Sequence, residues 1–226
     1  MKKYVLLTGA SSNLAKELIK DFNEKNYTVI GISRKEIQDD NNIFISLDLM
    51  QKGSLKLLRK KLKEKNIFPN IIVHNLGGKI ENDTHPLKAK VLKKSLKLNL
   101  GIAVEINSYF IQKAIKKAIK LNIIHISSDS SINGLASPAY VASKSAINAY
   151  VKSTARNYIK NAITLCSILP SRFTENMQST NNNLLDLFPL NRYLKTSEIS
   201  NFIVHIATLD NICYSGSNIV LDGCKR

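Results

Sequence analysis

The amino-acid sequence predicts an α/β protein, a doubly wound parallel sheet of about seven strands with helices on both faces. Three observations carry this. Short apolar runs (YVLL, IIV, IIHI, TLCSIL) alternate along the chain with longer segments of helical periodicity. Strands apolar on both faces belong to sheets covered on both sides. Polar residues then cluster where these runs end, at Gly9, Arg34, Asp48, Asn75, Ser128 and Pro170. Ligands sit at that end of the strands in such sheets. No linker, repeat or low-complexity block divides the 226 residues, so 1–226 reads as one domain with ample core.

In chain order, Tyr4–Leu7 is the first strand and Thr8–Asn13 a turn. Leu14, Leu18, Ile19 and Phe22 follow at helical spacing. Tyr27–Ile32 and Ile43–Leu47 are strands, and Ser54 to about Lys65 is a helix with a basic outer face. Asn70–His74 is a fourth strand. Leu87–Leu96 reads as a basic amphipathic helix, and a longer helix runs from about Asn99 to Lys120. A strand through Ile123–Ile126 precedes a helix opening after Pro138 and reaching about Lys160. Ala162–Leu169 is the sixth strand, residues 171–195 are irregular, a helix opens near Thr196, and Asn218–Leu221 closes the sheet.

Composition removes several function classes. No apolar run is long enough to span a bilayer, and the MKK-YVLL start breaks at Thr8-Gly9, too soon for a signal peptide. A cytoplasmic protein without membrane attachment is expected. Three widely spaced cysteines (Cys166, Cys213, Cys224) form neither a disulfide framework nor a zinc motif, and the four histidines lack ligand spacing, so no metal is expected. The net charge of +16 is unusual. It is nearly all lysine spread over several helices, without the aromatic-rich basic strip of a nucleic-acid binder. A solvated surface, with no nucleic-acid partner, is the preferred reading.

The stretch from Ile123 to Lys144 carries the chemistry. An apolar strand breaks into Ser127-Ser128-Asp129, and the next helix bears Tyr140 and Lys144, four apart and so on one face. A cation beside a phenol favours the phenolate and is expected to lower the Tyr140 pKa toward the working pH of an acid–base catalyst. Ser128 is placed to bond the same reacting oxygen. Tyr109 and Lys113 repeat the spacing without a preceding serine-bearing strand end, and read as helix surface.

The turn after the first strand suits a dinucleotide, because a glycine lets pyrophosphate approach a helix N-terminus. Only Gly9 remains of the usual glycines. Asn13 stands at the second position, where a residue tolerant of left-handed backbone is expected, and Ala15 at the third, which need only be small.

Together these residues resemble the short-chain dehydrogenase/reductase family along essentially the whole chain. The match runs through Thr8-Gly9-(x)3-Asn13-x-Ala15, Asp48-Leu49, Asn75-Leu76-Gly77, Asn99, Ser128, Tyr140-(x)3-Lys144, Pro170-(x)3-Thr174 and Leu221-Asp222-Gly223. Asn13, Ala15 and Ser171 depart from the family's glycines. The resemblance implies a Rossmann-like fold and an oxidoreductase moving hydride between nicotinamide and a carbonyl or secondary alcohol. A 3-oxoacyl thioester or a sugar-derived ketone is among the substrates it leaves open. It implies Tyr140 as acid, Ser128 positioning the substrate oxygen, Lys144 on the nicotinamide ribose, and Asn99 as both a helix distortion and a proton relay, where the residue type by itself suggests a helix N-cap. Gly9, Ser11, Ser12, Asn13 and Leu14 would cradle the pyrophosphate. Asp48 and Leu49 would contact the adenine, Asn75 and Gly77 would also bind the cofactor, and Pro170 and Thr174 would grip the carboxamide. Asp222 is read as structural. The rival from another class is a nucleotide-binding regulator or scaffold of the same fold, without turnover.

The substrate pocket expected from this resemblance takes Leu135, Ala136 and Pro138 from one loop and Met177, Leu184, Leu187 and Phe188 from the other, with polar relief from Ser130, Asn133 and Arg172. An acid at the end of the second strand would favour NAD by bonding the ribose 2′-OH. Here Ser33-Arg34-Lys35 stand instead, and Arg34 offers a planar fork for a 2′-phosphate, so NADP is expected over NAD. The helices from Asn99 and Tyr140 carry apolar residues over more than one face, including Ile147, Tyr150 and Val151 beside Ala142, Ala146, Ala149 and Ser153. A homodimer or homotetramer is therefore expected.

Overall fold

In the computed structural model the described residues are 2–174 and 188–225. They form one seven-stranded, all-parallel sheet in the order β3-β2-β1-β4-β5-β6-β9. The strands are β1 (Lys3–Thr8), β2 (Tyr27–Ser33), β3 (Ile43–Ser46), β4 (Ile71–His74), β5 (Leu121–Ile126), β6 (Ile163–Pro170) and β9 (Asn218–Leu221). The helices are α1 (Asn13–Glu24), α2 (Ser54–Glu64), α3 (Ala89–Leu96), α4 (Ile102–Lys117), α5 (Ser130–Asn133), α6 (Pro138–Tyr158) and α7 (Thr196–Thr208). All seven predicted strands are present. A small parallel pair, β7 (Phe173–Thr174) with β8 (Leu194–Lys195), occurs where only irregular chain was expected; two residues per strand leave too little alternation to detect.

Alternation along the strands divides the core in two. Val5, Leu7, Val73, Ile124, Cys166 and Ile168 face α1 and α7, meeting Leu14, Leu18, Phe22, Ile199 and Ile203. Leu6, Ile30, Ile72, Ile123 and Leu165 face the other way, onto Leu58, Leu62, Ile106, Phe110, Ile147 and Val151. The lysine-rich run is the outer face of α2, with Leu58 and Leu62 turned inward.

Two expectations need correction. Asn99 does not cap a new helix. It lies in a π turn, Lys97–Gly101, that carries α3 directly into α4. Ile147 and Val151 belong to the chain's own core, so the outward side of α6 carries small side chains (Ala142, Ala149, Ser153) and the half-buried Ala146 and Tyr150 beside the exposed Lys152, Arg156 and Asn157.

The strand order reverses between β1 and β4. A crevice therefore opens beyond their C-terminal ends, where Thr8–Gly9 and His74–Asn75 stand side by side.

Candidate active site

The loop leaving β5 is pinned from two sides. Asp129 N–H donates to Pro170 O at the end of β6 (3.1 Å), and Ser127 Oγ donates to Lys144 O (3.1 Å), clamping α6 against the sheet. The N-terminus of α6 is capped from outside its own sequence neighbourhood: Ala139 and Tyr140 N–H donate to the Asp83 carboxylate at 2.8 and 2.9 Å. An anion there complements the helix dipole. Sequence reading missed Asp83 because a cap more than fifty residues away leaves no local pattern.

These constraints bring Ser128, Tyr140 and Lys144 to one cavity of about 350 Å³, also lined by Asn75, Gly77, Leu135, Ala136, Pro170 and Arg172. Lys144 is 5% exposed, and its Nζ donates to Ile126 O at 2.6 Å. Burial lowers its pKa to about 8, so it still carries its charge at neutral pH. Behind it stands Asn99, also buried. Asn99 Oδ1 accepts from Gly78 N (2.8 Å), while Nδ2 donates to Gly78 O and to Ser95 O (both 3.1 Å). The amide thus ties the Gly78 backbone to the Ser95 carbonyl beside the π turn. Between them is Gly77, where a Cβ would come within 2.6 Å of Asn99 Oδ1 and 3.3 Å of Lys144 Nζ. A side chain there would displace the Asn99 amide and crowd the ammonium.

Tyr140 departs from expectation. Burial raises its pKa, the hydrogen bond with Ser128 pulls down, and the Asp129 charge pushes up again. The Lys144 ammonium lies 5.7 Å from the centroid of the Tyr140 ring. In this structure desolvation is the largest influence on the phenol.

A second cavity, of about 480 Å³, adjoins the first through Gly77, Gly78 and Lys79 and runs past Gly9, Ser11, Ser33, Arg34, Asp48 and Leu49. Gly9 has φ +68°, and a Cβ there would strike the Leu76 backbone at 3.0 Å. Ser12 caps α1 by accepting from Ala15 N (3.1 Å), and Asn75 Nδ2 bridges Gly9 O and Ser12 Oγ. Asn13 is not left-handed: it is the first residue of α1, and Gly9 alone supplies the positive φ of the turn. Ala15 is fully buried, as helix–strand packing requires. Asp48 accepts from Met50 N (2.9 Å), and Ser33 Oγ accepts from Lys35 N (2.9 Å), which sets the direction of the Arg34 turn.

Some expected residues lie elsewhere. Thr174 stands in β7, outside both cavity linings, although its neighbour Phe173 lines the first. Ser12 and Asn13 also stand behind the linings, although Leu14 reaches the first cavity. Phe188 is core, packed edge-on against Tyr193, and Asn133 turns to Asp129. Met177, Leu184 and Leu187 lie outside the described residues. Asp129 and Lys225, to which sequence reading gave no role, both line the first cavity and pair with each other at 2.7 Å. Asp222 accepts from Cys224 N in the turn after β9. His74 and His125 are buried around Asn107, and Tyr109 stacks under Arg59 on the surface. Among the described residues no His/Cys/Asp/Glu cluster could hold a metal, and no helix is long and apolar enough to cross a membrane.

The model of the short chain dehydrogenase family matches residues 3–185. The chain belongs to that family. It is accordingly an oxidoreductase acting on CH–OH or C=O groups. Among its relatives is the 3-oxoacyl-(acyl-carrier-protein) reductase FabG of Buchnera aphidicola subsp. Schizaphis graminum, 25% identical, covering 98% of this chain and 96% of that protein. Another is the L-xylulose reductase of Caenorhabditis elegans, 21% identical, covering 98% and 94%. Among solved structures, 4-hydroxyisoleucine dehydrogenase complexed with NADH superposes with a TM-score of 0.88 at 24% identity, covering 98% and 97%. ElxO with NADP bound reaches 0.87 at 21%, covering 99% and 98%.

The crevice fits a nicotinamide dinucleotide. Gly9 keeps the turn open beside the N-terminus of α1, where the Asn13 and Leu14 N–H groups meet no acceptor among the described residues. The two cavities join end to end, from Arg34 and Asp48 to Tyr140 and Lys144.

Proposed function

We propose that this dehydrogenase interconverts a small-molecule carbonyl and its secondary alcohol, with NADP(H) preferred over NAD(H). The observation that carries the reading is the convergence of Ser128, Tyr140 and Lys144 on one cavity, with Asn99 packed behind Lys144 through Gly77. The cofactor supplies or accepts the hydride. Everything else falls to the chain. Ser128 and Tyr140 hold the substrate oxygen, and Tyr140 Oη gives it a proton during reduction and takes one back during oxidation. Lys144 holds positive charge at the ribose end of the cavity, and its roughly neutral working range suits proton traffic to Tyr140. Asn99 fixes the Gly77–Gly78 backbone against Lys144 and stands where a relay to solvent would begin. A nucleotide-binding regulator without turnover has no use for a buried ammonium facing a phenol.

The remaining assignments follow the crevice. Gly9, Ser11, Ser12, Asn13 and Leu14 bind the pyrophosphate end, Asp48 and Leu49 the adenine, and Asn75, Gly77, Pro170 and Thr174 the nicotinamide side. Arg34, exposed at the end of β2, is the main determinant of NADP, with Ser33 shaping its turn. The Thr8–Asn13 turn holds no basic residue, but the fold supplies Lys16 and Lys35 beside Ser11 around an adjoining cavity. Glu36 and Asp39 share that cavity and partly offset them.

Relatives of this chain include reductases of acyl thioester and sugar ketones. The partly apolar first cavity, with Leu135 and Ala136 opposite Ser130 and Arg172, accommodates either class. We place the enzyme, acting as one domain, in the cytoplasm, in keeping with three free cysteines. We expect a dimer or tetramer through the small-residue face of α6, and light scattering at micromolar concentration checks it, a monomeric mass counting against. A panel of carbonyl compounds, followed by NAD(P)H absorbance, tests the reading as a whole. Turnover of at least one member is expected, and inertness across the panel with cofactor bound would favour the regulator.

A further inference from the structure

Ser128 turns to a substrate oxygen only by releasing a neighbour that it holds in this structure. Its Oγ donates to Asp129 Oδ1 (3.2 Å), accepts from Ser130 N (3.2 Å), and shares a hydrogen bond with Tyr140. A hydroxyl has one proton, so a Ser128 that gives it to Asp129 has none for a substrate oxygen. The far side of Asp129 is tied as well: Oδ2 accepts from Asn133 Nδ2 (3.2 Å) and from Lys225 Nζ (2.7 Å). Asp129 and Lys225 side chains are 9% and 12% exposed, and the Lys225 ammonium also lies 5.8 Å from the Phe188 ring centroid. This is a nearly buried ion pair, unlike the solvent-facing pair of Lys60 with Glu64.

The geometry points to Lys225 as a positioning residue for the reaction: by holding the Asp129 carboxylate, it weakens that group's grip on the Ser128 proton and its charge on Tyr140. Ser128, Asp129 and Lys225 thus form one hydrogen-bonded series beside Tyr140, ending in a cation from beyond β9. A carboxylate shared with an ammonium is a poorer acceptor and a weaker local field than an unpaired one. The charged and titratable groups around Tyr140, element by element, are Lys79 after β4, Asp83 before α3, His125 on β5, Asp129, Lys144 on α6, Arg172 after β6, and Lys225. Asp129 is the acid in that set bonded to Ser128, and Lys225 is the cation bonded to it. Removing Lys225 leaves a buried carboxylate unpaired, which disfavours the Tyr140 phenolate.

The inference rests on Tyr140 as the proton-transferring group, but its test does not need turnover. Ultraviolet difference titration, subtracting the Tyr140→Phe signal in each background, reads the Tyr140 midpoint. Lys225→Met is expected to move that midpoint to higher pH and Asp129→Asn to lower pH. Lys225→Arg is expected to retain the native value, and the double variant to cancel the Lys225→Met effect. In the alcohol-oxidising direction, Lys225→Met should lower kcat about three- to tenfold near neutral pH and recover on the alkaline side. A merely structural Lys225 would lower the rate at every pH without moving the midpoint. A midpoint unmoved in Lys225→Met overturns the inference. Should Asp129→Asn fold poorly, Lys225→Met and Lys225→Arg decide it alone. Failure of the functional reading would show separately, as no turnover by the native chain.

Discussion

The two ends of the crevice are built differently. At the β4–β6 end the working groups are buried and cross-bonded. Asn99, Ser128 and Lys144 are each at most 8% exposed, and Asn99 alone joins Gly78 to Ser95. At the β1–β3 end the fold supplies mostly backbone, the Gly9 turn and the start of α1, with exposed side chains such as Ser11 and Arg34 at the rim. A buried polar network tolerates no partial loss, because each orphaned group pays its full desolvation cost. An exposed rim can change side chains at little cost to the fold. The first end is therefore expected to hold the chemistry and the second to set which cofactor is chosen.

Substitutions at the two ends sharpen or break that contrast. The largest effect expected is from Tyr140→Phe, which removes the proton donor and should lower turnover by at least about a hundredfold with cofactor affinity nearly unchanged. Steady-state kinetics beside a cofactor titration check this. Lys144 comes next, through pH. Its folded-state pKa of about 8 lies below its ordinary 10.5, so the folded protein binds fewer protons between those values and gains stability as pH rises through them. Lys144→Met lacks this term. The native protein should therefore gain on the order of 3 kcal/mol relative to the variant from below pH 8 to above pH 10.5. Denaturant unfolding of both at several pH values measures it. A constant difference would mean that burial does not perturb Lys144.

Asn99→Ala should cost about 1–3 kcal/mol, since Gly78 and the Ser95 carbonyl lose their partner. Its Tm should fall, and an unchanged Tm would show that water replaces the amide. The smallest effect is at the rim. Arg34→Ala should leave stability unchanged and shift the NADP/NAD ratio of kcat/KM about tenfold toward NAD, the worth of one charge-assisted contact.

The same contrast explains what the sequence made legible. The sheet was readable because its strands are continuous apolar runs, and the Ser128, Tyr140 and Lys144 set because strand, loop and helix follow one another within about twenty residues. Asp83 and Lys225 were invisible, since each acts on residues more than fifty positions away and no local rule links them. Asn13 misled because its position suggested a glycine substitute, whereas the fold uses it as the first residue of a helix. The Tyr140 shift was misjudged because spacing records the neighbouring cation but not the burial that opposes it.

The most direct test is a single turnover followed by stopped-flow absorbance at saturating cofactor, for the native protein, Tyr140→Phe and Arg34→Ala. The expected result is hydride transfer slowed at least about a hundredfold in Tyr140→Phe and unchanged in Arg34→Ala. A Tyr140→Phe variant that transfers hydride at the native rate, or an Arg34→Ala variant slowed at saturating NADPH, would contradict the division of labour between the two ends.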